Sequence, residues 1–303
     1  MQVVRSISQA GPLRGRVVTI GNFDGVHRGH QHLLAAAGGA AATLGVGCTV
    51  LTFDPAPRDV LRPGNGIPRI QTLGRKLVHL ERAGVDAVLV LPFDHATAAV
   101  EPDVFAQEVL GDALDARALV VGHDFRFGRQ RRGDAALLRE VLQIPVTSVD
   151  ALSDDEGPVS SSRVRAHLSG GDVERAAALL GRPHEVCGVV VQGDRRGRTI
   201  GFPTANVVPD GGMLPPDGVY AAQVHLGDQR IGGVANLGLR PTFGGTERRL
   251  EVHLFDWSGD LYGQALAVEL RSHLREERKF AGLEALVAQI HVDAAEARAR
   301  LGR

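Results

Sequence analysis

The feature that most constrains the fold is a change of periodicity part-way along the chain. From residue 16 to about 150, apolar and often β-branched runs alternate with stretches of helical pattern. The runs are Arg16–Ile20, Cys48–Phe53, Asp86–Leu91, Ala116–Val121 and Val146–Val149, and the helical stretches fall at about 30–44, 72–83, 103–110 and 134–142. Strands that are apolar along their whole length are buried on both faces, so this alternation predicts a doubly wound parallel sheet. From Ser160 to Gly181 the pattern is two short helices, interrupted by Ser169-Gly170-Gly171-Asp172, whose glycines suit a helix end and whose aspartate suits the next start. After His184 the pattern becomes short alternating strands, Val186–Val191, Val219–Leu226, Ile231–Val234, Leu250–Phe255 and Leu266–Leu270. Turn-rich segments such as Pro215-Pro216-Asp217-Gly218 separate them, which predicts a small β-barrel or sandwich. Leu283, Leu286, Val287, Ile290 and Ala294 then mark one amphipathic helix over Leu283–Leu301. Two unlike cores follow, with the boundary expected at 182/183.

The length of 303 residues supports two domains. With 34 Lys plus Arg against 35 Asp plus Glu, the net charge of −1 argues against bulk electrostatic binding of nucleic acid or of an anionic membrane. Cys48 and Cys187 show neither metal-ligand spacing nor redox pairing. The start of the sequence does not read as a signal peptide and no run is long enough to span a bilayer, so the cytoplasm is the expected location.

Chemistry concentrates first at Gly21-Asn22-Phe23-Asp24-Gly25-Val26-His27-Arg28-Gly29-His30, directly after the first strand. A strand that passes through a glycine-bearing turn into a helix leaves backbone N–H groups free to bind a phosphate. His27 and His30, three apart, fall on one side of the first helical turn and can donate to the same oxyanion. That arrangement suits attack on an α-phosphate, where preorganised donors stabilise charge on the equatorial oxygens. The same spacing also serves a metal pair or two solvent-facing histidines, and the decamer alone does not choose.

Three further segments add phosphate-binding groups. Ser161, Ser162 and Arg165 begin a helix and offer hydroxyls, amides and a cation for departing β,γ-phosphates, although a serine N-cap reads the same way. The stretch Val121–Asp134 follows a strand carboxyl end and interleaves Asp124 and Arg126 with Phe125 and Phe127, either as a ligand loop or as a solvated one. Gly193, Gly197 and Arg198 lie in a glycine-rich basic turn ahead of Thr204 and Asn206, whose neutral oxygens suit Mg²⁺ when nucleotide phosphates complete its shell. Glu251 shares a strand face with His253 and is placed to accept a proton from an attacking hydroxyl. There is no Gly-x4-Gly-Lys-Ser/Thr phosphate loop.

Taken in order, Gly21–His30, Gly201-Phe202-Pro203-Thr204-Ala205-Asn206, Gly233–Phe243 and Leu261-Tyr262-Gly263 resemble the bifunctional bacterial riboflavin kinase/FAD synthetase family over residues 16–301. The resemblance implies an N-terminal FMN adenylyltransferase of the nucleotidyltransferase type, residues 1–182, and a C-terminal riboflavin kinase, residues 183–303, built as a six-stranded antiparallel barrel with a closing helix. It implies that riboflavin and ATP give FMN, and that FMN and ATP give FAD and pyrophosphate, with Mg²⁺ accompanying ATP. It places His27 and His30 on ATP phosphates, with Gly21, Asn22, Phe23, Asp24 and Gly25 in the nucleotide loop. Asp124 and Arg126 fall in the nucleotide/flavin loop, and Ser161, Ser162 and Arg165 match the Ser-Ser-Thr-x-x-Arg motif. Thr204 and Asn206 match the Mg²⁺-ATP residues, Glu251 the catalytic base and Arg275 a flavin-proximal segment.

Two positions depart from the family pattern: Ala56 stands where a histidine is usual in Phe-x-Pro-His-Pro, and Ser162 replaces a threonine. A kinase with a degenerate transferase domain and a flavin- or RNA-binding regulator are the competing readings, and turnover of riboflavin and FMN discriminates among them. The expected partners are riboflavin, FMN and ATP, not nucleic acid or membrane, with weak self-association of the chain as the remaining expectation.

Overall fold

The five apolar runs before residue 150 all become parallel strands of one sheet, joined by a short edge strand that the sequence pattern does not announce. In the computed structural model, which describes residues 1–303 except 65–66, 194–195, 228, 243–244 and 303, the chain divides into two units, Met1–Ser160 and Ser161–Arg303. The first contains β1 (Gln2–Val4), β2 (Val17–Ile20), α1 (Arg28–Leu44), β3 (Cys48–Phe53), α2 (Pro57–Leu61) and α3 (Leu73–Arg82). It continues with β4 (Ala87–Leu91), α4 (His95–Ala98), α5 (Pro102–Phe105), β5 (Ala118–Gly122), α6 (Ala135–Leu142), β6 (Val146–Val149) and a small antiparallel pair, β7 (Ser153–Asp154) and β8 (Gly157–Pro158). The order across the sheet is β1-β4-β3-β2-β5-β6, every pair parallel.

Both faces of this sheet are covered, which is why its strands carry no polar alternation. Val18, Ile20, Leu51, Leu89, Leu119 and Val121 pack with Phe105, Leu110 and Leu138 on one side. Val17 and Val120 pack against α1 through Ala37 and Ala41 on the other, and Val50, Val88 and Val90 meet Leu34 and Leu80 there. The helix expected at 103–110 is α5 running into a π-helical stretch, Ala106–Ala113. The wider turn lets Phe105, Val109, Leu110 and Leu114 all reach the core, an adjustment made by packing and invisible to a 3.6-residue pattern. Helix starts follow their local signals. Thr72 caps α3 by accepting from Arg75 N–H at 3.4 Å, and Asp134 caps α6 by accepting from Ala136 and Leu137 N–H at 3.0 and 3.1 Å. Each cap is worth about 1 kcal/mol.

The chain runs from β2 outward through β3 to β4, then crosses back to β5 and β6 on the other side of β2. That reversal makes the carboxyl ends of β2 and β5 the topological switch point, where ligands bind in open parallel sheets.

The second unit begins with α7 (Ser161–Ser169) and α8 (Val173–Leu180), with Asp172 capping α8 by accepting from Arg175 N–H at 3.0 Å. It continues with β9 (His184–Val191), α9 (Arg196–Thr199), β10 (Ala205–Pro209), β11 (Gly218–Leu226), β12 (Gln229–Thr242), β13 (Gly245–Leu254), β14 (Ala265–Arg275) and α10 (Leu283–Arg300). The strands close a six-stranded antiparallel barrel in the order β10-β13-β12-β11-β14-β9, with β9 and β10 also paired. The sixth strand, β10, is not among the runs that the sequence pattern marks, because the prolines at 203 and 209 mask its alternation. β12 is far longer than the Ile231–Val234 expected for it; Phe243 and Gly244 lie outside the described residues. Val186, Val190, Val207, Val224, Ala235, Leu237, Leu250, Val252, Val268 and Leu270 are all buried and form the barrel interior. Outside, α10 covers Val219, Ala221, Val234 and Phe255 through Ala297.

The helix pair α7–α8 groups with the barrel, since α8 packs on β9 and β14; the seam between the units therefore falls about twenty residues before the boundary drawn from the motifs. Among the described residues no helix is long and apolar enough to cross a membrane.

Candidate active sites

The first site is built by a turn that a chain adopts only under constraint. After β2 the backbone takes positive φ at Phe23 (48°), Gly25 (86°) and Val26 (40°). For phenylalanine and a β-branched valine this costs about 1–3 kcal/mol each. Both side chains are fully buried in the cluster with Leu34, Val50 and Leu80, and burying such a side chain returns about 1.5–3 kcal/mol, so the core holds the strained turn in place. Gln31 Nε2 donates to Val26 O at 2.8 Å and ties the turn to α1; its role was not legible in the sequence.

His27 is the N-cap of α1. Its Nδ1 accepts from His30 N–H at 3.3 Å, which makes Nδ1 the unprotonated nitrogen and leaves Nε2–H as the ring's donor. The rings of His27 and His30 stack with centroids 3.6 Å apart and planes 19° apart, so the pair presents two edges side by side, as their spacing predicts. A Cβ at Gly29 would lie 2.9 Å from Val159 O and 3.2 Å from the His27 ring, so only glycine permits this approach.

The loop's other members divide. Gly21 donates its N–H to Leu51 O, and Asn22 is exposed with its carbonyl accepting from Thr52 Oγ1 at 3.4 Å. Asp24 points inward: its carboxylate accepts from Arg58 Nη2 at 2.9 Å and from Ile70 N–H at 3.0 Å. Its visible work is to anchor the turn. Ala56, at the position where a histidine was expected, is the N-cap of α2 and makes no side-chain cap hydrogen bond.

Across the switch point lies the segment after β5. Phe127 is buried against Phe105 and stacks with Phe125 at 5.5 Å, so the aromatics fasten the loop to the core. Arg126 pairs with Asp134 at 2.7 Å, and Arg129 and Arg132 both pair with Glu101. Asp124 and Arg131 are exposed and carry no ion pair among the described residues. Arg131 was not singled out from sequence, and the exposed Arg126 pair is weak enough to open to a ligand.

In the second unit, Ser161 and Ser162 are the first residues of α7 and the buried Arg165 lies one turn on, as the motif predicts.

The barrel assembles its site by register. Asn206 on β10 lies opposite Glu251 on β13, and Glu251 lies opposite Asn236 on β12. Directly opposed residues share a face, so Asn206, Glu251 and Asn236 form one polar row on the barrel's outside. Their neighbours Val207, Leu250, Val252, Ala235 and Leu237 point inward. A Cβ on Gly193 would lie 2.4 Å from Asn206 Nδ2, and one on Gly197 would lie 2.2 Å from Phe202 O. These glycines thus let the turn fold onto the Phe202–Asn206 segment, while Asp194 and Arg195 between them lie outside the described residues. Arg198, in α9, is exposed. Thr204 is exposed just before β10.

His253, two residues beyond Glu251 on the same face, meets Pro203 O through Nδ1 at 2.9 Å, and Phe202 sits edge-on between the rings of His253 and His291 at 5.1 and 4.9 Å. His253 thereby fixes the segment that carries Thr204 and Asn206. The sequence showed its shared face with Glu251 but not this contact.

Arg275, expected near the flavin, holds the buried Asp293 of α10 in a bidentate ion pair, Nε to Oδ1 at 2.9 Å and Nη2 to Oδ2 at 2.7 Å, and donates to Glu276 O at 2.9 Å. It fastens the closing helix to β14. Among the described residues no cluster of three or more His, Cys, Asp or Glu is arranged to hold a metal.

Comparison with known proteins gives the same division. The FAD synthetase family model matches residues 10–163 and the riboflavin kinase model matches residues 180–301. The bifunctional riboflavin kinase/FMN adenylyltransferase of Escherichia coli (strain K12) is 41% identical over 303 residues, 99% of this chain and 96% of that protein. The protein of that description from Bacillus subtilis (strain 168) is 38% identical, over 93% of this chain and 91% of that one. A solved structure described as a macrolide-efflux protein from Streptococcus pneumoniae superposes with a TM-score of 0.91 at 33% identity, covering 98% of this chain and 99% of that one. Its description names an activity that neither family model names.

Proposed function

Because the chain belongs to the bifunctional riboflavin kinase/FMN adenylyltransferase family, it phosphorylates riboflavin with ATP to FMN and adenylylates FMN with ATP to FAD and pyrophosphate, and we propose that these reactions divide between residues 1–182 and 183–303. The observation that carries the division is the pair of unlike constellations: stacked histidines at a helix start in one unit, a polar row across three barrel strands in the other.

In the adenylyl transfer, a phosphate oxygen of FMN attacks the α-phosphorus of ATP, and the bond from that phosphorus to the bridging oxygen of the pyrophosphate breaks. His27 Nε2–H and the ring edge of His30 donate to the equatorial oxygens as their charge grows, and the N–H groups at the start of α1 reinforce them. No proton needs to leave the attacking phosphate, so the histidines act as donors and not as bases. Gly21, Asn22, Phe23, Asp24 and Gly25 shape the loop that receives the nucleotide, with Asp24 acting through its hold on Arg58 and Ile70. Asp124 and Arg126 belong to the loop after β5, and Ser161, Ser162 and Arg165 are assigned to phosphate by their hydroxyls, helix-start amides and guanidinium.

In the kinase, the carboxylate of Glu251 takes the proton of the riboflavin 5′-hydroxyl as that oxygen attacks the γ-phosphorus and ADP departs. Gly193, Gly197 and Arg198 cradle the phosphates, and Arg275 serves the flavin end by fixing the segment that follows β14. Thr204 and Asn206 supply neutral oxygens, a donor set too sparse to cage an ion alone and suited to Mg²⁺ that nucleotide phosphates largely complete. Bound there, the ion neutralises phosphate charge. The near balance of acidic and basic residues supports small-molecule partners over nucleic acid or an anionic membrane, and we place the enzyme in the cytoplasm with self-association no more than weak.

Purified protein given riboflavin, ATP and Mg²⁺ should accumulate FMN and then FAD by chromatography. His30→Ala should cut FAD formation from FMN by about 100-fold or more while FMN formation persists, and Glu251→Gln should do the reverse. Loss of both steps in either folded variant would overturn the division.

A further inference from the structure

Lys76, near the start of α3, carries a charge that none of the chemistry above uses. The residue is 7% exposed, and its Nζ makes one long hydrogen bond, donated to Thr52 Oγ1 at 3.5 Å. It has no ion-pair partner among the described residues. Burial pushes the ammonium below the ordinary lysine range; Asp24 and Asp54 pull it back up, and Arg69 and Arg58 oppose it. A buried, unpaired cation costs stability that an apolar side chain of the same length would not.

The surroundings show what the charge can do. Asp24 is engaged by Arg58 at 2.9 Å, Asp54 by Arg69 at 2.7 Å, and Arg69 also by Asp59 at 2.7 Å. In this cluster two guanidiniums, Arg58 and Arg69, engage three carboxylates, Asp24, Asp54 and Asp59, and a protonated Lys76 adds positive charge that Asp24 and Asp54 attract. The cluster lies behind the turn whose N–H groups must receive phosphate, where uncompensated negative charge opposes binding. Thr52 connects the two: its Oγ1 accepts from Lys76 and donates to Asn22 O at 3.4 Å, inside the turn.

We propose that Lys76 is a positioning residue for adenylyl transfer, holding the Asn22 carbonyl through Thr52 and adding positive charge to the aspartate cluster behind the phosphate-receiving turn. The proposal rests on the assignment of that turn to FMN adenylylation. The groups facing Lys76 are Asp24 on the turn, Thr52 and Asp54 at the end of β3, Arg58 on α2 and Arg69 ahead of α3.

The test uses the full chain and assays both activities. Lys76→Met should lower kcat/KM for adenylyl transfer by about 10- to 100-fold, with KM for ATP raised, while riboflavin phosphorylation stays unchanged and the Tm is equal or higher. Lys76→Arg, which keeps the charge, should recover transfer to within about five-fold of the native protein. The protonated lysine is the active form, so native transfer should fall as pH rises through a value below 10.5, and Lys76→Met should lose that limb. Transfer within two-fold of native in Lys76→Met overturns the proposal. So does a loss that Lys76→Arg fails to restore, or one matched by the kinase. His30→Ala in the same assay separates the premises: intact transfer there overturns the location of the site, whereas lost transfer there with intact transfer in Lys76→Met overturns the lysine's role alone.

Discussion

The histidine turn and the barrel row reach comparable chemical ends by opposite routes. His27 and His30 are brought together within a ten-residue stretch, by a strained turn, an N-cap and one helical turn. Asn206, Asn236 and Glu251 are brought together from three strands, and they meet only because the barrel closes in one register. A site made by local geometry is sensitive to single atoms added to its turn. One made by register is sensitive to whatever holds the strands, however far away, since a slip of one residue turns every side chain to the opposite face.

The sharpest way to break this contrast is the buried ion pair that fastens α10. Asp293→Asn removes one partner of a bidentate pair with Arg275, which should destabilise the barrel by about 3–5 kcal/mol. On heating, the kinase should fail well before adenylyl transfer does, read by the two activities after graded incubation. If both fail together, the barrel is not an independent stability unit.

Next in size are two glycines. Gly29→Ala forces Val159 O or the His27 ring to move and should cost adenylyl transfer about 100-fold with the kinase untouched; Gly193→Ala, which collides with Asn206, should do the converse. Equal losses of both activities in either variant would show that the sites are not separately built.

The smallest effect is on pH. His184 donates from Nε2 to Met213 O at 2.8 Å inside the second unit, and burial pushes its pKa from 6.5 down to about 4. The unfolded chain therefore binds a proton that the folded one refuses, and stability present above pH 6.5 is lost as pH falls toward 4. At pH 5 the loss should be about 2 kcal/mol relative to pH 7.5, measured by denaturant midpoints. His184→Gln should flatten the dependence, and an unchanged slope would remove His184 as its source.

The contrast also explains how much was legible beforehand. The inner strands β2 to β5 were readable because burial on both faces leaves a continuous apolar run, and the edge strand β6, exposed at Thr147 and Ser148, by its β-branched residues; β1 has only three residues, one of them buried. The histidine turn was readable because its contacts are local. What Arg126 and Arg275 touch was not legible, because their partners, Asp134 and Asp293, become neighbours only through folded geometry, and a cation's sequence position says nothing about what neutralises it. The core contacts of Phe125 and Phe127 were hidden for the same reason, their partner Phe105 lying about twenty residues upstream.

By itself the sequence determined two domains of different class, the glycine turn with its paired histidines, and the order of motifs from Gly21 to Arg275 that marks the family. These follow from period, turn chemistry and local spacing, which are properties of neighbours along the chain. Only the tertiary structure decided that Asn236 completes a row with Glu251, that His253 holds Pro203, that three arginines after β5 are already paired, and that Lys76 is buried within reach of the charges of Asp24 and Asp54. Those depend on strand register and on which side chains folding brings within reach of one another, and neither is set until distant segments have packed.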